Sequence, residues 1–202
     1  MNIQDILLSD ITKLKIDLDK ANMKLPPGLA GMFGEILVWK ELEERFSNKG
    51  FKVIFNSGSS RADITVVNGN KKINIEIKTS RLKEEKPGIL YGFAINIKKC
   101  KDCPKKIFIH PKRGQIFGDF CYFNFIIAVA LSDNLRPAFY VFPKDFIDEH
   151  EKELRNKSPR FLSASHRIIF IEKEYKSNEI TNFDRKMKKL KNSYKNKWSL
   201  IK

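Results

Sequence analysis

The chain has 202 residues, of which 39 are Lys or Arg and 24 are Asp or Glu, so its formal net charge is +15. Hydrophobic residues make up 42% of the sequence and 16 residues are Phe, which is enough for a sizeable core and excludes a largely disordered chain. An excess of positive charge on a folded protein favours polyanionic partners, either nucleic acids or anionic membrane surfaces.

Membrane insertion and export are both disfavoured. The longest apolar run, residues 125–131, has the length of a strand and not of a bilayer-spanning helix. The first twenty residues carry four aspartates, which fits neither a signal peptide nor a transit peptide. Three cysteines, an odd number, argue against a disulfide framework. We therefore expect a cytoplasmic protein that does not contact membranes.

Hydrophobic periodicity predicts two helices in the first quarter of the chain. Apolar residues at spacings of three and four favour an amphipathic helix over residues 1–20, which ends before Pro26 and Pro27. A second helix is predicted over residues 28–48, and Gly50 follows it as a stop signal.

Alternating apolar and polar residues then predict strands. The first three cover residues 52–55, 61–67 and 71–79, and the pair Asn68 and Gly69 predicts a hairpin between the last two. Two helices, then antiparallel strands, then mixed elements indicate an α/β or α+β domain around one sheet. Beyond the hairpin we expect strands at residues 92–97, 123–131, 138–142 and 167–171 and a short helix at residues 144–157.

The last predicted element is strongly basic. From Glu179 onward apolar residues recur at spacings of three and four among Lys and Arg, and no acid follows Asp184. This pattern predicts an amphipathic helix over residues 179–202 that packs on the core or on a second copy, with its lysines directed at phosphates. A membrane surface and direct DNA binding are the alternatives. The apolar stripe consists of Phe183, Met187, Leu190, Tyr194 and Trp198.

A second concentration of charge lies in the connection over residues 98–113. Its seven Lys and Arg are opposed only by Asp102, and Phe108 and His110 interrupt them. Cations alternating with aromatic rings suit contact with a nucleic-acid backbone, whereas a solvated loop is the alternative interpretation. We expect DNA contacts from Lys105, Lys106, Lys112 and Arg113.

The three cysteines and one histidine have the spacing of a zinc site. They form C-x2-C-x6-H-x10-C, which counts as a Cys3His set that would pin the basic connection. Two features argue against zinc: the last cysteine opens an apolar strand, where a free thiol packs as a small hydrophobe, and there is no second C-x2-C. A structural Zn²⁺ is therefore the less favoured alternative, with Cys100, Cys103, His110 and Cys121 as its ligands.

Three chemically active side chains are predicted to share one face of the hairpin. In the strand over residues 71–79, period two places the isoleucines on the core face, so Glu76 and Lys78 lie together on the other face. Asp63 alternates with apolar residues in the preceding strand, and the hairpin brings it towards Glu76 and Lys78. Aspartate is disfavoured in strand interiors, which indicates a specific role for Asp63.

Glu35 adds a carboxylate from the second helix. It shares a helical face with Trp39, Leu42 and Phe46, where an unpaired charge would be costly. Three converging carboxylates repel one another unless a divalent cation lies between them, and oxygen-only ligands suit Mg²⁺. Such a cation polarises a phosphoryl oxygen and acidifies a bound water, and Lys78 beside it orients that water or stabilises developing charge.

Each of these residues alone has an ordinary explanation. An isolated Glu-x-Lys is a solvated strand face, Glu35 alone pairs with a nearby Lys or Arg, and Asp63 alone caps a strand or joins a salt bridge. The conjunction favours catalysis, because a helix Glu, a strand Asp and a Glu-x-Lys on the paired strand occur together in a chain of charge +15.

This four-part pattern resembles the PD-(D/E)xK nucleases, which include type II restriction endonucleases and archaeal Holliday junction resolvases. The resemblance covers residues 28–80 and matches Glu35, Asp63, Glu76 and Lys78 to the family motif. Ala62 stands where the motif name has Pro, which changes a turn preference and removes no metal ligand.

The resemblance implies a restriction-endonuclease-like fold, in which a central mixed sheet is flanked by helices. It also implies Mg²⁺-dependent hydrolysis of double-stranded DNA by a homodimer. We expect Asp63, Glu76 and the backbone carbonyl of Ile77 to bind the metal and Mn²⁺ to be a substitute cation. Glu35 is expected to act either as an accessory ligand or through a metal-bound water.

The expected organisation is a single nuclease domain over residues 1–178, with its catalytic core at about 28–142, followed by the basic helix. About 120 residues follow Ser80, more than small resolvases carry, which favours a type II restriction endonuclease with a companion methyltransferase for the same site. A junction resolvase, a non-catalytic DNA-binding protein and a zinc-containing nucleic-acid adaptor are the alternatives. Further DNA contacts are expected from the loop residues Ser59, Ser60 and Arg61, for which a flexible linker is the other interpretation.

Overall fold

The computed structural model describes residues 2–23, 25–56, 62–81, 83–85, 88–96, 108–109, 116–117, 123–132, 134–146, 165–172 and 193–201. Within these ranges, side chains are described for residues 2–23, 25–56, 62–80, 123–132, 134–146 and 193–201.

Two long helices begin the fold, as the periodicity predicts. Helix α1 spans Ile3–Lys20 and is capped by Asn2, whose side chain accepts a hydrogen bond from the backbone N–H of Asp5. Helix α2 spans Pro27–Phe46, with proline at its first position, where no N–H is needed. A short 3-10 turn, Ser47–Lys49, follows α2, and Gly50 ends it with a φ of 77°, a conformation that favours glycine.

Polar contacts dock the two helices against each other. Gln4 of α1 is buried and donates from Nε2 to Oε2 of Glu43 at 2.6 Å. Trp39 donates from Nε1 to the other oxygen of Glu43 at 2.9 Å, and Lys40 pairs with Asp5 at 2.7 Å. Glu43 therefore accepts one bond from each helix, which fixes the position of α1 over α2.

Five strands form the central sheet, in the order β1, β2, β3, β8, β9. The pair β3 and β8 is parallel and the other neighbours are antiparallel, so the predicted mixed sheet of an α/β protein is confirmed. A three-stranded sheet, β10, β5, β4, and a two-stranded sheet, β6 and β7, complete the described strands. The strands are β1 Lys52–Phe55, β2 Ile64–Asn68, β3 Lys71–Arg81, β4 Lys83–Glu85, β5 Gly88–Asn96, β6 Phe108–Ile109, β7 Ile116–Phe117, β8 Phe125–Leu131, β9 Pro137–Pro143 and β10 Ser165–Glu172.

The hairpin between β2 and β3 turns one residue later than predicted. Asn68 pairs with Lys71, so Gly69 and Asn70 occupy the turn instead of Asn68 and Gly69. Gly69 has a φ of 56° at the first turn position, where hairpin turns need a positive φ. The consequence is a register in which Ile64 faces Ile75.

One face of the central sheet carries the hydrophobic core. Strands β2 and β3 contribute alternate apolar residues to a buried cluster beneath α2, to which Phe33, Ile36 and Leu42 belong. The alternation predicted for residues 71–79 is confirmed, because Ile73, Ile75 and Ile77 are all buried in this cluster.

The helix predicted over residues 179–202 is wrong for residues 195–201. Lys195 bridges to Tyr140 of β9, and the N–H of Asn196 donates to the carbonyl of Phe139 at 2.9 Å. Asn196 has a φ of 53°, and a 3-10 turn, Trp198–Leu200, follows. The segment pairs with the edge of the sheet instead of continuing a helix, since β9 offers its unpaired backbone groups there.

Residues 193–201 straddle this edge of the sheet. Tyr194 contacts Phe142 and Phe146 on one face, at centroid distances of 5.4 and 4.7 Å. Trp198 packs on the core face, 5.2 Å from Phe139 between ring centroids, and is only 4% exposed. Tyr194 and Trp198, two residues of the predicted apolar stripe, therefore pack against opposite faces of β9.

The remaining predictions are met in part. Of the helix predicted over residues 144–157, residues 144–146 are described and are helical. Residues 179–192 lie outside the described part of the chain. No helix among the described residues has both the length and the apolar composition that a bilayer crossing requires.

Candidate active site

Asp63 is fixed by three hydrogen bonds at the start of β2. Its backbone N–H donates to the carbonyl of Ile75 at 3.1 Å, and its backbone carbonyl accepts from the N–H of Asn56 at 2.9 Å. Its carboxylate oxygen Oδ2 accepts from the N–H of Ile77 at 2.6 Å. The aspartate that strand propensity disfavours is therefore held between β1 and β3.

Glu76 and Lys78 occupy the face of β3 opposite the core. The ladder between β2 and β3 ends at the pair Ile64 and Ile75, and Asp63 directly precedes it. The hydrogen bond from the N–H of Ile77 to Oδ2 of Asp63 places this carboxylate beside β3, next to Glu76 and Lys78 in sequence. Glu76 is 7% exposed, and its Oε1 forms an ion pair with Nζ of Lys78. The predicted convergence of Asp63, Glu76 and Lys78 is present in the structure.

Glu35 belongs to the same electrostatic environment. Burial raises the pKa of its carboxyl group to about 7, and the negative charges of Asp63 and Glu76 add to that rise while Lys78 opposes it. Helix α2 thus brings a third carboxyl group close enough to the two strand carboxylates to feel their charge. The four residues predicted from the sequence lie together at one end of the sheet.

Close packing of α2 on β3 sets the position of Glu35. A Cβ atom on Gly34 would lie 2.0 Å from Oγ1 of Thr79, so only glycine allows the helix to approach the strand this closely. Thr79 Oγ1 is buried and has no hydrogen-bond partner among the described residues. The sequence analysis missed this contact, although a glycine inside an otherwise strong helix pattern is a signal of close approach.

Asn56 supports the hairpin from β1. Its Nδ2 donates to the carbonyl of Ala62 at 3.1 Å and to Oγ1 of Thr65 at 2.9 Å. These bonds hold residues on both sides of Asp63, and no sequence motif pointed to Asn56.

The cluster presents carboxylate oxygens from three elements. Asp63 directly precedes β2, Glu76 lies on β3 and Glu35 on α2, and carboxylate oxygens are the ligand type that Mg²⁺ and Mn²⁺ prefer. Oε1 of Glu76 contacts Nζ of Lys78, and Oδ2 of Asp63 accepts from the N–H of Ile77. As arranged, no group of three or more Asp, Glu, His or Cys among the described residues could hold a metal ion. A metal ion at this cluster would require Glu76 to give up its contact with Lys78.

The other predicted site residues lie outside the described residues. This applies to the loop contacts Ser59, Ser60 and Arg61, to the basic residues Lys105, Lys106, Lys112 and Arg113, and to the zinc set Cys100, Cys103, His110 and Cys121.

Comparison with known proteins gives only distant structural similarity. No protein-family model matches the chain, and no curated protein matches its sequence. The structure is similar to that of the bacterial homing endonuclease I-Ssp6803I, with a TM-score of 0.43 and 21% identity over 87% of this chain and 91% of that one. It is also similar to that of MepB, with a TM-score of 0.32 and 11% identity over 77% of this chain and 92% of that one. Similarity at this level assigns neither a family nor an activity.

Proposed function

We propose that this protein is a Mg²⁺-dependent nuclease that hydrolyses phosphodiester bonds in double-stranded DNA. The observation that carries the proposal is the grouping of four side chains. Oδ2 of Asp63 is bonded to the N–H of Ile77 in β3, Glu76 is paired with Lys78, and Glu35 on α2 feels the charges of all three. This arrangement provides ligands for a cation and a positive group at one place.

The negative charge of the cluster supports a divalent cation as its ligand. Among the described residues, the charges that act on the Glu35 carboxyl group are those of two carboxylates, Asp63 and Glu76, and of one ammonium group, Lys78, so carboxylates predominate here. A divalent ion balances them, whereas a phosphodiester alone would add a further negative charge and be repelled.

Each residue then has a defined role. Asp63, Glu76 and the backbone carbonyl of Ile77 hold the cation, and Glu35 contacts it through water. When bound, the cation supplies Lewis-acid activation of the phosphoryl group and of the attacking water. When substrate binds, Lys78 leaves Glu76 and contacts the substrate instead. Its ammonium group then orients the attacking water or stabilises the charge that develops on phosphorus.

Charge and chain length support DNA and the restriction class as the finer assignment. The net charge of +15 favours a polyanionic substrate, and the residues beyond β3 exceed what cleavage itself requires. We propose a type II restriction endonuclease that acts as a homodimer, because base recognition and cleavage of both strands would use this additional length.

Plasmid cleavage tests the proposal. Wild-type protein with Mg²⁺ should convert plasmid DNA to discrete fragments, and EDTA should abolish the reaction. Asp63→Asn and Lys78→Ala should each lower the rate at least about a hundredfold, because each removes a group that acts on the reacting phosphate. Lys71→Ala is the matched control, since Lys71 lies on the same strand but on the other face and is exposed.

The outcomes separate the candidate activities. Full Mg²⁺-dependent cleavage by both Asp63→Asn and Lys78→Ala would show that the cluster is not the active site. Cleavage confined to four-way junctions would identify a resolvase in place of a restriction enzyme. Tight DNA binding without any cleavage would identify a non-catalytic binding protein.

A further inference from the structure

A row of neutral polar side chains crosses the sheet next to the carboxylates. We define the amide row as Thr65, Asn74 and Asn124. Thr65 faces Asn74 across β2 and β3, and Asn74 exchanges hydrogen bonds with Asn124, which directly precedes β8. Asn74 precedes Glu76 by two residues and so shares its face of β3, and Thr65 is the register partner of Asn74. Asn124 precedes Ile126, the partner of Glu76 on β8, by two residues.

Hydrogen bonds orient both amides of this row. The side-chain oxygen of Asn124 accepts from the backbone N–H of Asn74 at 2.8 Å, so its NH2 group must point away from the strand. The hydroxyl of Thr65 accepts from Asn56 at 2.9 Å and therefore directs its proton to the side-chain oxygen of Asn74 at 3.2 Å. In both asparagines the acceptor is used internally and the donor group is left over.

The remaining NH2 groups are available to a ligand. Neither donates a hydrogen bond to another residue in the described ranges. Asn124 is exposed and Asn74 half-buried, and exposed Lys72 lies two residues before Asn74 on the same face. Oriented donors beside a lysine, without a carboxylate in this row, match the hydrogen-bonding and charge requirements of a phosphate oxygen.

The distance from the carboxylates fits a neighbouring phosphate of the same nucleic acid. Asn74 precedes Glu76 by two residues, which is about 7 Å along a strand, and Lys72 precedes it by four, about 13 Å. Successive phosphates of one DNA strand recur at a rise of roughly 3.4 Å along the helix axis, so both positions lie within a few phosphates of the one at Glu76.

We propose that Asn74, Asn124 and Lys72 form a backbone-binding subsite that holds the DNA strand flanking the cleaved bond. This inference rests on the proposed nuclease function for the identity of the ligand. The subsite positions the duplex without reading its sequence. Contacts to phosphates fix where the protein lies on the duplex but do not distinguish one base from another.

Charge substitution at the asparagines tests the subsite. Asn74→Asp and Asn124→Asp keep the oxygen that accepts the internal hydrogen bond and replace the donor with a negative group. The matched control is Asn134→Asp: Asn134 is exposed beyond the opposite end of β8, and its Oδ1 likewise accepts an internal bond, from the Ser132 hydroxyl at 2.5 Å. All three variants change the net charge equally.

Binding of a fluorescent random-sequence DNA duplex is measured in EDTA by anisotropy, with melting curves recorded for each variant. Asn74→Asp and Asn124→Asp should each weaken binding about tenfold, whereas Asn134→Asp should change it less than about twofold. Lys72→Gln should lower the slope of log affinity against log salt by about 0.9, with Lys71→Gln as the control on the opposite face.

The results distinguish this inference from the proposed cleavage. Equal affinities of the three aspartate variants, together with an unchanged salt slope for Lys72→Gln, would overturn the subsite even if the protein cuts plasmid. Selective weakening by Asn74→Asp and Asn124→Asp would support the subsite even if no cleavage were found, since binding is measured without metal. If one aspartate variant fails to fold, the other and Lys72→Gln still decide the question.

Discussion

The backbone N–H of Ile77 donates a hydrogen bond to Oδ2 of Asp63, with a nitrogen-to-oxygen distance of 2.6 Å. A residue of β3 thereby fixes the orientation of a carboxylate that β2 presents to the candidate metal site. One oxygen of Asp63 is thus engaged by the backbone of β3, and the proposed metal contact would use the other.

Asp63→Asn and Asp63→Ala should therefore separate stability from activity. Asparagine keeps an oxygen for the Ile77 N–H, so Asp63→Asn should unfold at the wild-type urea midpoint. Alanine leaves that N–H without its acceptor and should cost about 1 kcal/mol. Both variants should lose cleavage. Urea denaturation in EDTA checks the first result, and an equal loss of stability in the two variants would show that the hydrogen bond does not hold the fold.

Glu35 should make the metal-free protein less stable as the pH rises. Its pKa in the fold is about 7 against an ordinary 4.5, so between these values the unfolded chain releases a proton that the folded chain keeps. Stability attributable to Glu35 is therefore highest below pH 4.5, falls up to pH 7 and is constant above it.

Glu35→Gln should remove this dependence. The stability advantage of the variant over wild type should grow across the same pH window and reach roughly 1 to 2 kcal/mol above it, after allowance for partial exposure. Urea unfolding in EDTA measures the difference, with Glu44→Gln on the exposed side of α2 as the control for removing a carboxylate. A constant difference between Glu35→Gln and wild type at every pH would contradict the prediction.

Alanine should have opposite effects at two glycines of α2. A Cβ on Gly31 meets nothing within 4 Å, so Gly31→Ala should stabilise the helix by about 0.5 to 1 kcal/mol. A Cβ on Gly34 would collide with Oγ1 of Thr79, and Gly34→Ala should destabilise the protein by about 1 to 3 kcal/mol.

The double variant Gly34→Ala/Thr79→Ala tests the cause of that loss. Alanine at position 79 removes Oγ1 and Cγ2, which would lie 2.0 and 3.0 Å from the new Cβ, and keeps only the Thr79 Cβ at 3.0 Å. Part of the lost stability should therefore return. Thermal melting of the four proteins checks this. Additive effects of the two substitutions would show that the Thr79 contact is not responsible.

Trp198→Ala should unfold the protein far more easily than Leu200→Ala. Trp198 is 4% exposed, packs against Phe139 and lies under the Arg45 guanidinium, which is 5.4 Å from the ring centroid. Its loss should cost about 3 to 5 kcal/mol, whereas Leu200, which is 39% exposed, should cost less than about 1 kcal/mol. Similar urea midpoints for the two variants would contradict the burial of residues 193–201 against the core.

Local sequence patterns were sufficient for the hairpin and its site. Period two in residues 71–79 and a turn containing Gly69 determine which side chains share a face, so Asp63, Glu76 and Lys78 could be placed together from the sequence. Glu35 could be added because its helix face is otherwise apolar. These signals depend on neighbours close in sequence, which is the range over which propensity and periodicity act.

The remaining features depend on pairings between distant segments. Residues Asn74 and Asn124 meet because β3 and β8 pair in parallel, and no local pattern specifies that partner. The spacing of Tyr194 and Trp198 is typical of a helix, but the open edge of β9 provides a stronger partner for the backbone around Lys195. Tertiary pairing overrides periodicity there.

Coverage of β9 by residues 193–201 has a consequence for assembly. A sheet can recruit a strand from a second molecule only at an edge whose backbone groups are free. The bridge at Tyr140 and the hydrogen bond to Phe139 obstruct one edge of the central sheet. The other edge is β1, a strand of four residues that begins with exposed Lys52, and short edge strands with lysine resist such pairing. Two copies of this protein should therefore associate through side chains and not by joining their central sheets.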